Sequence, residues 1–208
     1  ERTDIWITYD NNQLYFWFHA HYSDPTIIRA NRVDRDRARR DDWIAVMLDP
    51  LLDQQRAYRF SVNGYGVQGD AIINAGGSTR GPPGGGGDST WDALFDSAGQ
   101  LVANGWTAAL AIPVKSLRYP TRPAGQPHRW GFQITRTIQT KDETLVWAPY
   151  TRNITGLLRQ MGLLIGMDNL STSRNLELLP TVTAIQYGEL NQATGQFTNR
   201  GLTPDIGL

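Results

Sequence analysis

From residue 14 to 21 core-type and ring-bearing side chains alternate without a break: Leu14-Tyr15-Phe16-Trp17-Phe18-His19-Ala20-His21. A strand points successive side chains to opposite faces. Leu14, Phe16, Phe18 and Ala20 therefore share one face, and Tyr15, Trp17, His19 and His21 share the other. The first set suits a core, and the second is a row of rings that a sheet can present to a ligand. Residues 4–9 run into this segment through Asp10-Asn11-Asn12, a hairpin signal.

The same texture recurs along the chain. Residues 43–48 read as a strand closed by Asp49-Pro50, and 57–62 and 67–73 flank the turn Asn63-Gly64-Tyr65-Gly66. Residues 93–103 and 106–112 pair across Asn104-Gly105, and 130–138 and 144–148 form a further hairpin. Residues 113–117 read as one helical turn, and 156–167 are short and apolar. Residues 25–41 are a polar connection rich in arginine, and 74–90 are a glycine- and proline-rich loop without regular structure. After Arg174 the alternation lengthens over 176–184, followed by a loop at 188–196 and a last run at 197–208. Many short strands separated by turns predict an all-β fold, an antiparallel β-sandwich with a C-terminal strand extension. No long segment of period 3.6 competes with it.

Composition narrows the chemistry. The 208 residues carry seven tryptophans, eight tyrosines and no cysteine, at a net charge of zero. A neutral chain exerts no general pull on nucleic acid or anionic lipid, so no nucleic-acid partner is expected. The absence of cysteine excludes disulfides, thiolate zinc sites and cysteine nucleophiles. No apolar run is long enough for a membrane-spanning helix, and no signal-peptide pattern opens the chain. The chain enters a strand almost at once and ends at Thr203-Pro204-Asp205-Ile206-Gly207-Leu208, so it reads as a piece of a longer protein.

Tyr9-Asp10 followed by Leu14-Tyr15, and Asp41-Asp42-Trp43 leading to Leu48-Asp49, resemble the opening and the acidic strand entry of carbohydrate-binding module family 9. Gly105-Trp106 followed by Ala111-Ile112-Pro113 and Leu117-Arg118-Tyr119 resembles a third family segment. Other phrases point to bacterial proteins in which such a sandwich precedes an outer-membrane β-barrel. They include Tyr58-Arg59-Phe60-Ser61-Val62-Asn63, Trp130-Gly131-Phe132, Trp147-Ala148-Pro149 and Asn175-Leu176-Glu177-Leu178-Leu179-Pro180. The resemblance implies a sandwich over 1–170, lacking its usual first strand, and the start of a barrel-associated β region over 171–208. It also implies the bacterial periplasm or outer membrane as location and an association with glycoside hydrolases and carbohydrate catabolism. Three positions depart from the pattern. Ala109 stands where the family carries a glutamate, and Trp17 and His19 stand where relatives carry a small residue and an arginine.

Each candidate site has a structural alternative. Tyr15 and Trp17 can stack on the apolar faces of sugar rings with His19 beside them, or cover a second packed layer. Trp91, Trp106, Trp130 and Trp147 read as core or sheet-edge packing. His19 and His21 share a face and can reach one metal ion, with Asp24 as a third ligand, or stand as two surface imidazoles. Asn63, Gln68 and Asp70 can line a polar ligand pocket or form a network inside the sandwich. Oxygen donors at strand ends, Asp41, Asp42 and Asp49 above all, suit calcium, which the resemblance implies as a structural ion; turn chemistry is the alternative. No nucleophile elbow, phosphate loop or catalytic triad is evident, so no enzyme activity is expected.

The leading expectation is non-catalytic binding of a polysaccharide or oligosaccharide at the bacterial cell envelope, through Tyr15, Trp17, His19, Asn63, Gln68 and Asp70. A periplasmic docking or plug domain for the protein's own C-terminal membrane barrel is the first alternative. A haem-binding sandwich is the second, with Met47, Met161, Met167, His19, His21 and His128 as possible ligands.

Overall fold

The turn after the first strand is built by Asp10. Its Oδ1 accepts the backbone N–H groups of Asn12 at 2.7 Å and Gln13 at 2.8 Å, which folds the chain back on itself. In the computed structural model, which describes residues 1–38, 40–75, 87–123, 125–151, 153–171 and 181–207, this turn joins β1 (Thr3–Tyr9) to β2 (Gln13–His21). β3 (Trp43–Asp49), β4 (Arg56–Asn63) and β5 (Gln68–Asn74) follow. Next come β6 (Asp96–Val102), β7 (Gly105–Pro113), β8 (His128–Ile138), β9 (Glu143–Val146) and β10 (Gly162–Met167). Two longer strands, β11 (Thr181–Leu190) and β12 (Phe197–Gly207), close the chain.

The chain divides into two units, Glu1–Ser173 and Arg174–Leu208. The first is an antiparallel sandwich. One sheet has the order β1-β2-β7-β6 and the other β10-β8-β3-β4-β5, with β9 on β8 beside β10. The second unit contains the antiparallel pair β11–β12. The phrase at 175–180 and most of the glycine-rich loop, 76–86, lie outside the described residues. Among the described residues no helix is long and apolar enough to cross a membrane.

The alternation on β2 holds residue by residue. Leu14, Phe16, Phe18 and Ala20 enter the core and meet Ile44, Val46, Phe60, Phe132 and Ile134 from the opposite sheet. Each such aromatic or aliphatic side chain contributes roughly 1.5–3 kcal/mol on burial. Trp106 and Trp130 are wholly buried with them. The two sheets differ on their outer sides. β3 and β8 are buried on both faces, whereas β1 and β2 leave one face to solvent. The sheet β1-β2-β7-β6 therefore holds the open face.

One element departs from the sequence expectation. Residues 93–95 do not join β6, because other groups hold their backbone. Ala93 N–H donates to Asp70 and its carbonyl accepts from Arg35, while Gln68 donates to the Phe95 carbonyl. The apolar stretch 156–167 is a 3₁₀ turn at Leu158–Gln160 followed by β10. The Gln160 amide gathers the loop before it, donating to the carbonyls of Thr151, Ile154 and Gly156. The helical turn expected at 113–117 is a 3₁₀ turn, Val114–Ser116.

Candidate functional site

On the open face Trp6 of β1 stands directly across from Trp17 of β2. Their relative exposures are 56% and 59%. On the other side of Trp17 the register partner is Ala109 of β7, whose own partner on β6 is Ala98. Tyr15 likewise faces Ala111. Two indoles thus rise beside a shelf of methyl groups too short to cover them. Tyr15 is half-buried, and its hydroxyl donates to Asp10 Oδ2 at 2.9 Å, which ties its ring to the turn. That bond pushes the Tyr15 phenol up, and the Asn12 N–H, the same phenol and the Gln13 N–H hold the Asp10 carboxyl down. Where β2 begins, a solvent-open cleft of about 460 Å³ is lined by Asn12, Gln13, Asp96, Pro113, Lys115 and Ser171 among others.

At the opposite end of the face the two imidazoles of His19 and His21 stack with ring centres 3.8 Å apart. Asp4, the cross-strand partner of His19, places Oδ2 2.8 Å from His21 Nε2. The bonds from His21 and Arg2 hold the Asp4 carboxyl below its ordinary range. The Asn104 side chain lies 3.1 Å from His19 Nε2 through Oδ1 and 3.3 Å from His21 Nδ1 through Nδ2. Asp24, expected from the sequence as the third ligand, instead accepts from Thr26 N–H and hydroxyl and caps the turn Pro25–Ile27.

The remaining expected residues lie elsewhere. Asn63, Gln68 and Asp70 belong to the other sheet. Asn63 donates to Asp41 and to the Asn31 carbonyl and accepts from Tyr65 and Val67. Asp70 is buried and accepts both Nε and an Nη of Arg35, as well as Ala93 N–H. Burial pushes its carboxyl up, against the pull of Arg35 and Ala93. Gln68 and Asp70 meet through Arg35, and Asn63 belongs to a second set with Asn31 and Asp41; both lie on the other sheet from Trp17. Asp70, Asp36 and Asp92 come close enough to hold a cation, but Arg35 already stands among them.

Asp41 and Asp42 are buried anchors for the long connection before β3. Asp41 accepts from Asn31 and Asn63, and Asp42 from Tyr22 hydroxyl, Arg29 N–H and Gln139 N–H. Asp49 sits at the far end of β3, roughly 20 Å away at the rise of a strand, so it shares no ion with them. Of the haem-type residues, His128 and Met167 are buried cross-strand partners, with Tyr119 and Trp130 edge-on or tilted around His128. Met47 is buried on β3, away from His19 and His21 on the open face of the other sheet.

Sequence reasoning missed Trp6, Asp4 and Asn104. The first two were within reach: counting across the Asp10 turn pairs Tyr9 with Leu14, and hence Trp6 with Trp17 and Asp4 with His19.

No protein-family model and no curated protein matches the chain. Solved structures share its fold, among them the following three. One is a candidate carbohydrate-binding protein from Bacteroides uniformis, at TM-score 0.53 and 15% identity, covering 78% of this chain and 77% of that one. Two are of a carbohydrate-binding module family 9 from Caldicellulosiruptor kristjanssonii. The glucose complex has TM-score 0.52 and 14% identity, covering 84% of this chain and 80% of that one. The cellotriose complex has TM-score 0.51 and 13% identity, covering 85% and 80%.

Proposed function

We propose that the sandwich unit binds saccharides without catalysis, on the open face of the sheet β1-β2-β7-β6. One observation carries the reading: two indoles, Trp6 and Trp17, stand directly opposite each other on the outer face of one sheet, each more than half exposed. An exposed aromatic pair on a rigid sheet offers flat apolar area at small entropic penalty, and sugar rings have matching apolar faces. The methyl shelf of Ala98, Ala109 and Ala111 leaves room for a ring to lie flat. Gln13, Asp96 and Lys115 at the adjoining cleft supply hydrogen-bonding groups for hydroxyls. The family 9 module of like fold is described in complex with glucose and cellotriose, which supports the saccharide class. Affinity is modest, because a shallow site buries little area and desolvating hydroxyls offsets much of the gain.

The test is a glycan array and calorimetry with cello-oligosaccharides on the wild type, Trp6→Ala and Trp17→Ala. The reading expects saturable binding that is lost in either variant. It is overturned if no saccharide binds, or if binding survives both substitutions. The same two indoles would also serve a protein surface, such as the barrel expected from sequence. Absence of saccharide binding in the wild type, with pull-down of a membrane barrel that is lost in both variants, would favour docking. Location at the bacterial envelope rests on the sequence resemblance, and cell fractionation checks it.

A further inference from the structure

The geometry points to a site for a divalent transition-metal ion, zinc or a close relative, held by His19, His21 and Asp4 at the end of the open face. Nothing in saccharide stacking requires these groups, and the inference stands apart from it. The three side chains place one nitrogen or oxygen ligand atom each within 4.8 Å of one another. A tetrahedral ion with bonds of roughly 2.0–2.2 Å sets its ligand atoms about 3.3 Å apart. The gap of 2.8 Å between His21 Nε2 and Asp4 Oδ2 needs to open by only about half an ångström to reach that spacing. Both side chains are partly exposed, and the Asp4 bond to Arg2 runs through its other oxygen. Two imidazoles and one carboxylate are the donor set of many zinc sites that keep a fourth position open. Nitrogen donors disfavour calcium and magnesium, which take oxygen.

The backbone under the cluster is fixed before any ion arrives. His21 N–H donates to the Arg2 carbonyl at 2.9 Å, and Tyr22 N–H to the Asn104 carbonyl at 2.9 Å. The buried guanidinium of Arg136 donates to the carbonyls of both Arg2 and His21 at 2.8 Å. The strand ends that carry Asp4 and His21, and the turn that carries Asn104, are thereby locked together. Asn104, within hydrogen-bond distance of both imidazoles, orients their rings. A site built on tied strand ends meets the requirement for preorganised ligands.

The experiment uses the full 208-residue chain after chelator treatment, titrated with zinc ion alone. Calorimetry is expected to show one equivalent bound. Imidazole NMR signals of His19 and His21 are expected to move while those of His128 stay in place. His21→Gln and His19→Gln are each expected to weaken binding by more than about tenfold, and Asp4→Asn by about tenfold. All three residues point away from the core, so metal-free circular dichroism is expected to match the wild type. Calcium ion is expected to leave the imidazole signals unmoved. The inference is overturned if zinc does not saturate near one equivalent, or if the His128 signals move instead of the other two. It also fails if both glutamine variants bind as tightly as the wild type, or if calcium competes. Should a variant fold poorly, the wild-type NMR titration still decides.

Discussion

The guanidinium of Arg136 lies 4.4 Å from the ring centre of Tyr22, and the hydroxyl of that ring donates to Asp42 at 2.7 Å. A cation, a ring and a carboxylate thus line up at one end of the core. Burial pushes the Tyr22 phenol up to about 12, against the pull of Arg136 and with the help of Asp42. The folded chain holds this proton more tightly than the unfolded chain, whose phenols titrate near 10. The stabilisation is therefore complete below pH about 10 and is lost as pH rises to about 12. Urea unfolding is expected to show that alkaline loss in the wild type and a flatter profile in Tyr22→Phe. At pH 7 Tyr22→Phe is expected to destabilise by about 1–3 kcal/mol, because Asp42 loses a buried donor.

Arg136→Met removes the donor that ties the Arg2 and His21 carbonyls together. The His21 carbonyl loses a charged donor and the Arg2 carbonyl keeps only the His21 N–H, so a loss of roughly 3 kcal/mol is expected by urea unfolding. Amide exchange at the start of β1 and the end of β2 is expected to quicken more than at β3, since the Arg136 guanidinium bridges those two strand ends.

Trp17→Ala and Trp6→Ala are expected to change stability by no more than about 1 kcal/mol each, the range of a cross-strand aromatic pair on a solvated face. Trp106→Ala, from the core of the same sheet, is expected to lose about 3–5 kcal/mol. Thermal melts of the three variants check this. Near-wild-type melts for the first two mean that any loss of saccharide binding in them is a loss of the surface and not of the fold.

The split between legible and illegible features follows from how far apart in sequence the partners lie. The faces of β2 were legible because alternation is a local property, and the Asp10 turn then set the register of β1. The antiparallel sandwich followed from repeated short strands and Asn-Gly-type turns. The surroundings of Asn63 and Asp70 were not legible. Their partners, Asn31, Asp41 and Arg35, sit on an irregular connection 22 to 35 residues away whose path no periodicity dictates. Arg136 was equally hidden: it occupies a core-facing position on β8, and its acceptors are carbonyls more than 100 residues earlier. The Asp24 misassignment has the same source. Asp24 is near His21 in sequence but capped its own turn, while Asp4 arrived across the sheet.

Gly105 marks a place where the chain tolerates no side chain. Its φ is +148°, and a Cβ there would stand 2.0 Å from the Ala20 carbonyl oxygen and 3.2 Å from His21 Cα. Gly105→Ala is expected to cost more than about 2 kcal/mol, since backbone strain and a backbone clash add. Because the clash falls on Ala20 and His21, NMR shifts of His19 and His21 are expected to move even where the variant stays folded.

Asp49 is 1% exposed, and its Oδ1 has no hydrogen-bond partner, while Oδ2 accepts the Gln54 N–H at 2.9 Å. Burial pushes its carboxyl up, against the Gln54 N–H. A carboxyl raised in the folded state stabilises the fold below the unfolded value near 4, and that stabilisation is lost as pH rises through the folded value. At pH 7 the wild type therefore carries a buried charge that the fold satisfies poorly. Asp49→Asn keeps an acceptor for Gln54 and removes the charge, so in calcium-free buffer it is expected to melt higher than the wild type at pH 7. The advantage is expected to shrink as pH falls through the raised folded-state value, where the wild-type carboxyl takes up its proton. Calcium provides the second arm of the measurement. An ion bound at Asp49 would raise the wild-type melt and reverse the order of the two proteins, whereas a buried capping carboxylate leaves the order unchanged on calcium addition.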